Sequence, residues 1–196
     1  MAGRKRKRLL VACEFSGKVR DAFLEVGWDA WSCDLRRCIL PNKNSERHLR
    51  QDVRPLLREP WDLVIAHPPC TYLCNSGVRW LDGDNDRFER MLDACLFFTD
   101  CLEANAPMVC VENPIMHGLA RVGVKESYTQ IVHPWQFGHG ETKATCLWLE
   151  GLPKLEPTRI VEGRKPRVHF LSGRWRKSER SITYTGVAKA MAQQWG

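Results

Sequence analysis

No run of about eighteen apolar residues occurs anywhere in the 196 residues, so the sequence offers no helix to span a membrane. Internal repeats are missing, and so is low-complexity sequence beyond a short charged run at the start. That run, Arg4-Lys5-Arg6-Lys7-Arg8, is followed by Leu9-Leu10-Val11-Ala12, which is too short for the apolar part of an export signal. The nine cysteines form an odd, scattered set, poor material for a disulfide framework. Without an export signal they point to a reducing cytoplasm. Disorder is excluded by a hydrophobic fraction of 43% with 8 Trp and 7 Phe. What remains is most simply one domain over residues 9–196 behind a basic tail, 1–8.

Positive charge is abundant. The net charge is +7, concentrated in the tail and in residues 163–180. Such a balance favours a polyanionic partner through counterion release, and His169, Phe170 and Trp175 interleave with the second cluster as candidate base-stacking groups. The bland alternative is a solvated face that aids solubility.

Periodicity then orders the chain. Residues 9–13 read as a strand, 18–26 as a helix stopped by Gly27, and 28–33 as a second strand. Residues 42–49 read as a polar loop. A third strand contains Ile65, and residues 86–104 form the best helix, with Phe88, Met91, Leu92, Cys95, Leu96, Thr99 and Leu102 at helical spacing. A strand over 108–111 follows, then paired strands over 127–132 and 144–150, and a closing helix over 187–195. Strands alternating with helices before a late hairpin predict a doubly wound α/β fold, mostly parallel with an antiparallel edge.

In such folds ligands gather at the carboxyl ends of the strands, and the chain puts reactive groups there. The prolines of His67-Pro68-Pro69-Cys70 cannot continue a buried ladder, so Cys70 sits on a stiff loop at a strand end. Glu112-Asn113-Pro114 reaches the same edge. A thiol beside a carboxylate is the pairing of a nucleophile with a proton donor. The turn Glu14-Phe15-Ser16-Gly17 opens a helix whose amides can approach a ligand. Asp34, followed by Leu35, and Asp52 end or follow neighbouring strands, where an acid meets ribose hydroxyls. A surface aspartate capping a turn is an equal reading of each. Free cysteines are also commonly buried small hydrophobes, and Glu112 beside Pro114 could cap a helix. Zinc is a poor reading of Cys70, Cys74 and the scattered histidines, because no second paired cluster exists.

These motifs resemble, in order and across most of residues 9–195, those of the C5-cytosine methyltransferases. The family's Pro-Pro-Cys matches Pro68-Pro69-Cys70, its Glu-Asn-Val is similar to Glu112-Asn113-Pro114, and its cofactor turn and acid resemble Phe15-Ser16-Gly17 and Asp34. More loosely, residues 137–148, with Lys143 and Thr145, stand where the family has a Gln-x-Arg-x-Arg strand, and Thr185-Gly186-Val187-Ala188 resembles its last motif. The likeness is closest to small bacteriophage-encoded members.

The resemblance implies a Rossmann-like fold that binds S-adenosyl-L-methionine and transfers methyl to C5 of cytosine in DNA, in the cytoplasm of a bacterial host. It implies Cys70 as nucleophile and Glu112 as acid. Glu14, Phe15, Ser16, Gly17, Asp34, Leu35, Asp52, His67, Pro68 and Gly186 are then the cofactor-binding residues, and Asn113, Arg79, Lys143 and Thr145 touch the substrate; no metal is involved.

Three departures bear on substrate. Pro114 replaces valine, and the paired arginines are missing, with Lys143 the only basic residue of that strand. The interval where the family inserts a recognition domain, about 151–183, is too short for a core of its own. Either the basic insert contacts nucleic acid with low selectivity, or a protein partner supplies specificity, or the substrate is a single strand or a free nucleotide. A pyrimidine nucleotide or uracil as target, or a non-catalytic nucleic-acid-binding protein on the same shell, are the rival readings.

Overall fold

The computed structural model describes residues 6–39, 44–75, 85–172 and 176–196. A seven-stranded sheet runs through them in the order β3-β2-β1-β4-β5-β7-β6. Its strands are β1 (Arg8–Ala12), β2 (Asp29–Cys33), β3 (His48–Leu49), β4 (Leu63–Ala66), β5 (Val109–Asn113), β6 (Gln130–Val132) and β7 (Thr145–Glu150). β1 to β5 pair in parallel, whereas β7 runs antiparallel to both β5 and β6. This is the doubly wound, Rossmann-like α/β architecture with an antiparallel edge that the sequence predicts.

Alternation along the strands sends side chains to two cores. Leu9, Val11, Leu63, Ile65 and Cys110 face α1 (Lys18–Glu25) and the last helix, α6 (Thr185–Trp195). Leu10, Ala12, Val64, Ala66, Val109 and Val111 face α3 (Asn85–Leu102) and lie with Ala120 and Val124 of α4 (Gly118–Val124). Two further, short helices among the described residues are α2 (Arg54–Leu57) and α5 (Arg176–Ser181).

Register fixes what the sheet presents. Ala12 pairs with Cys33 and with Ala66, and Ala66 pairs with Val111. One residue further along each strand therefore stand Cys13, Asp34, His67 and Glu112, level across the carboxyl edge. The order of the strands reverses between β1 and β4, which opens the crevice there.

Two readings of the sequence are corrected. Residues 42–49 are not wholly loop, because His48 and Leu49 add β3 to the sheet edge. On α3 the apolar stripe is rotated: Met91, Cys95, Phe98 and Cys101 are buried, while Phe88, Leu92 and Leu96 stand out in solvent. Periodicity found the helix, but Phe88, Leu92 and Leu96 define an apolar stripe of their own at i, i+4, i+8, and only packing selects between neighbouring stripes. Phe98 meets Trp148 edge-on at 4.9 Å between ring centroids. Phe98→Ala is expected to lower unfolding free energy by about 3–5 kcal/mol and Leu96→Ala by less than about 0.5 kcal/mol, as read by urea denaturation.

Candidate active site

Glu112 is the last-but-one residue of β5, and its side chain is 18% exposed. Its Oε2 lies 3.1 Å from His67 Nδ1. Burial pushes the Glu112 carboxyl up, but hydrogen bonds from His67 and Thr145 and the charges of Lys143 and His67 outweigh it and hold it below its ordinary value. That balance favours the ionised carboxylate. Lys143 also donates from Nζ to the Arg180 carbonyl at 2.8 Å, which ties it to the end of α5.

Cys70 follows the two prolines, half-buried, and its carbonyl accepts the amides of Leu73 and Cys74 in a tight turn. A hydrogen bond with the Cys74 thiol raises the Cys70 thiol well above its ordinary value, with burial and the Cys74 and Glu112 charges adding to the effect and Lys143 opposing it. Cys70, Glu112 and Lys143 thus share one electrostatic neighbourhood, with the proton on sulfur and the negative charge on Glu112.

Beside them is a cavity lined by His67, Glu112, Pro134, Lys143, Thr145 and Tyr184, among others. Cys70 is not part of its lining. A second, smaller cavity lies between Cys13, Glu14, Phe15, Ser16, His67, Ser181 and Thr183. His67 is the side chain with Thr183 that borders both.

The turn after β1 is organised by Glu14, which is 4% exposed. Its Oε1 accepts from Ser16 Oγ at 3.0 Å and Val19 N at 2.8 Å, and its Oε2 from Arg20 N at 3.3 Å. Lys18 N donates to Ser16 Oγ. The first amides of α1 are therefore committed, which corrects the picture of free amides approaching a ligand. A phosphate has no donors to find there, and it would meet a buried carboxylate. A sulfonium with an ammonium group suits that negative site, so these residues fit S-adenosylmethionine better than a dinucleotide. Gly17 takes φ 71°, and a Cβ on it would lie 2.4 Å from the Arg20 guanidinium. Arg20 is itself fully buried against Asp21, Ser32 and Cys38. Its sequence gives no hint of this, since an arginine on a short helix reads as a solvated face.

The remaining sequence candidates divide. Asp34 Oδ1 accepts from Arg36 N at 2.8 Å, and Asp52 accepts from the amide and guanidinium of Arg54, which hold it below the ordinary carboxylate range. Both cap turns, the plainer of their two readings. Leu35 is 71% exposed. Phe15 is buried beneath Arg36, whose guanidinium carbon lies 3.9 Å from the ring centroid, so that face is already covered. Asn113 is fully buried and donates to the Pro68 carbonyl at 3.4 Å. It fastens the Pro-Pro-Cys loop to β5 and has no exposed surface of its own to offer a substrate. Gly186 lines neither cavity. It packs on the Phe137 carbonyl, 1.8 Å from where a Cβ would sit, and donates its amide to His139 Nε2 at 2.9 Å. Thr183 and Tyr184, which the sequence reading passed over, line the cavities instead. Arg79 lies outside the described residues.

No family model and no curated protein matches the chain. Among solved structures it is similar to a candidate DNA modification methyltransferase encoded within a prophage (E. coli), at 15% identity, 85% coverage of this chain, 55% of that one and a TM-score of 0.48. It is also similar to the Entamoeba histolytica methyltransferase EhMeth, at 14% identity with 87% and 61% covered and a TM-score of 0.45. A third likeness is to the S. pombe Dnmt2 methyltransferase, at 14% identity with 76% and 51% covered and a TM-score of 0.42. The chain spans between half and two thirds of the length of these structures.

A thiol held above its ordinary value carries less thiolate at neutral pH and reacts more slowly. Iodoacetamide labelling of Cys70, followed by peptide mass spectrometry at pH 7.5, is expected to be slower than that of a free cysteine. Glu112→Gln, which removes a neighbouring negative charge, is expected to accelerate it.

Proposed function

We propose that the protein is an S-adenosylmethionine-dependent methyltransferase that acts on C5 of cytosine in nucleic acid, with Cys70 as nucleophile and Glu112 as the proton-handling group. The observation that carries this reading is the shared field of Cys70 and Glu112 at one end of the sheet, beside a cavity and next to a turn suited to a cationic cofactor.

The proton count supports it. At rest the pair holds one proton, on sulfur, and one negative charge, on Glu112. Attack of the Cys70 sulfur on C6 of the pyrimidine needs a thiolate, and the electrons pushed into the ring need a proton at N3. Passing the thiol proton by way of Glu112 to N3 satisfies both without any proton entering from solvent. C5 is then an enamine carbon. S-adenosylmethionine, when bound, supplies the electrophilic methyl group that this carbon takes. Loss of the C5 proton to water, with departure of the sulfur from C6 as thiolate and return of the N3 proton through Glu112 to that sulfur, restores the aromatic ring and the resting pair. Lys143 and Thr145 hold Glu112 in place through these changes, the part that the absent arginines would otherwise share.

Nucleic acid as the substrate is supported by charge at the mouth of the site. Residues 158–168 run beside the loop 134–141, whose Pro134 lines the larger cavity, and backbone hydrogen bonds fasten the two: Val161 N to Trp135 O, Gly138 N to Arg159 O, and Lys165 N to Gly140 O. Arg164 lies 3.6 Å above the Trp135 ring, Arg159 lies over Gly138, and Arg167 reaches the Gly140 carbonyl at 3.5 Å. All three are exposed, and among the described residues none forms an ion pair. Phe170 beside them is 79% exposed. A row of exposed guanidiniums that no carboxylate neutralises among the described residues, with an exposed aromatic, suits a phosphate backbone and a stacked base.

The raised Cys70 thiol favours one rival, a nucleic-acid-binding protein without turnover. Labelled S-adenosylmethionine offered with duplex DNA, single-stranded DNA, RNA or dCMP separates the readings. Transfer to C5 of cytosine that Cys70→Ala abolishes is expected; cofactor-independent binding with no transfer to any of the four overturns the enzyme. Replacing Arg159, Arg164 and Arg167 together by alanine is expected to flatten the slope of log affinity against log salt by about 2–3.

A further inference from the structure

The His67 ring is 7% exposed, and only one of its nitrogens is accounted for. Nδ1 faces Glu112, and Nε2 is buried with no hydrogen-bond partner. A buried polar atom without a partner is costly and needs an explanation. The ring borders both cavities, so with Nδ1 committed to Glu112 on the side of the larger one, Nε2 is the atom left for the smaller one.

The chemistry of the ring narrows what completes it. Glu112 is an ionised acceptor, so Nδ1 carries a hydrogen. Nε2 is then either a bare acceptor on a neutral imidazole or a second N–H on an imidazolium. A cationic ligand in the smaller cavity opposes the imidazolium, and an N–H donor on that ligand satisfies the bare nitrogen. Glu14 already makes this cavity favourable to a cation.

We propose that His67 is a positioning residue that couples the two cavities: its Nε2 accepts a hydrogen bond from the ammonium of an α-amino-acid sulfonium ligand, which locks the neutral tautomer whose Nδ1–H holds Glu112. This rests on the methyltransferase reading and adds a linkage to it. The ligand in one cavity then sets the orientation of the acid in the other, and by reciprocity Glu112 tightens that ligand without touching it.

The test uses the whole protein and two nucleosides, S-adenosylhomocysteine, which keeps the ammonium, and methylthioadenosine, which lacks it. In 15N spectra of the histidine side chains, S-adenosylhomocysteine is expected to shift the His67 Nε2 signal while Nδ1 stays protonated, and methylthioadenosine is expected to leave both unchanged. His67→Asn keeps a donor near the Nδ1 position and loses Nε2. By calorimetry it is expected to weaken S-adenosylhomocysteine roughly tenfold and methylthioadenosine hardly at all. Glu112→Ala is expected to weaken S-adenosylhomocysteine in the wild-type background and to have no further effect alongside His67→Asn. Unchanged His67 signals with S-adenosylhomocysteine bound, or a Glu112→Ala effect that is the same in both backgrounds, overturns the coupling alone. If the wild-type protein takes up neither nucleoside, the methyltransferase reading falls and the coupling with it. The spectra of the wild-type protein decide the matter even where a variant fails to fold.

Discussion

A carboxylate withdrawn from water has to find its hydrogen bonds within the protein, and two of them shape the carboxyl edge of this sheet. Glu14 gathers the first amides of α1 and the Ser16 hydroxyl. Glu112 gathers His67, Thr145 and the field of Lys143. Because β1, β4 and β5 lie adjacent and in register, these two clusters stand next to one another with His67 between them. Ser16 takes its place by satisfying the first charge, and His67 and Thr145 by satisfying the second.

This arrangement separates the fold's possible chemistries. A doubly wound sheet with an open helix N-terminus after β1 binds phosphates; here a carboxylate fills that N-terminus, and the site turns from anion-binding to cation-tolerant. At the neighbouring strand end, the same need for donors draws His67 and Lys143 onto Glu112 and keeps it ionised. The negative charge of Glu112 in turn helps keep the proton on Cys70. Under the proposed mechanism, thiol and carboxylate stand one proton transfer from the pair that adds to a pyrimidine ring, with no change in the charge of the site.

Much of this was legible in the sequence, for definite reasons. Proline pairs, strand-like apolar runs and the glycine after Phe15-Ser16 are local signals, so the strands, the doubly wound order and the meeting of residues 67–70 with 112–113 could be read directly. What could not be read was the choice among partners. Asp34 and Asp52 cap their own turns two residues on, whereas Glu14 reaches across its turn to the helix beyond, and nothing in the identity of these acids distinguishes the cases. Asn113 looked like a substrate contact until β7 and the Pro68 carbonyl enclosed it. The buried face of α3 was misjudged by a rotation, because Leu92 and Leu96 are as apolar as Phe98 and packing on the sheet and α4, Trp148 included, decides which stripe turns inward. The bond of His67 to Glu112 could not be read either, since it spans 45 residues of sequence.

The central claim is that the sulfur at position 70 adds to the ring of a cytosine while Glu112 handles its proton. Intact-mass analysis after incubation with S-adenosylmethionine and an oligonucleotide carrying 5-fluorocytosine tests this most directly, because fluorine at C5 blocks the final loss of a proton. A stable protein–oligonucleotide adduct is expected, one that peptide mapping assigns to Cys70 and that Cys70→Ser does not form. An adduct on another residue, or turnover of ordinary cytosine by Cys70→Ser at the wild-type rate, would contradict it.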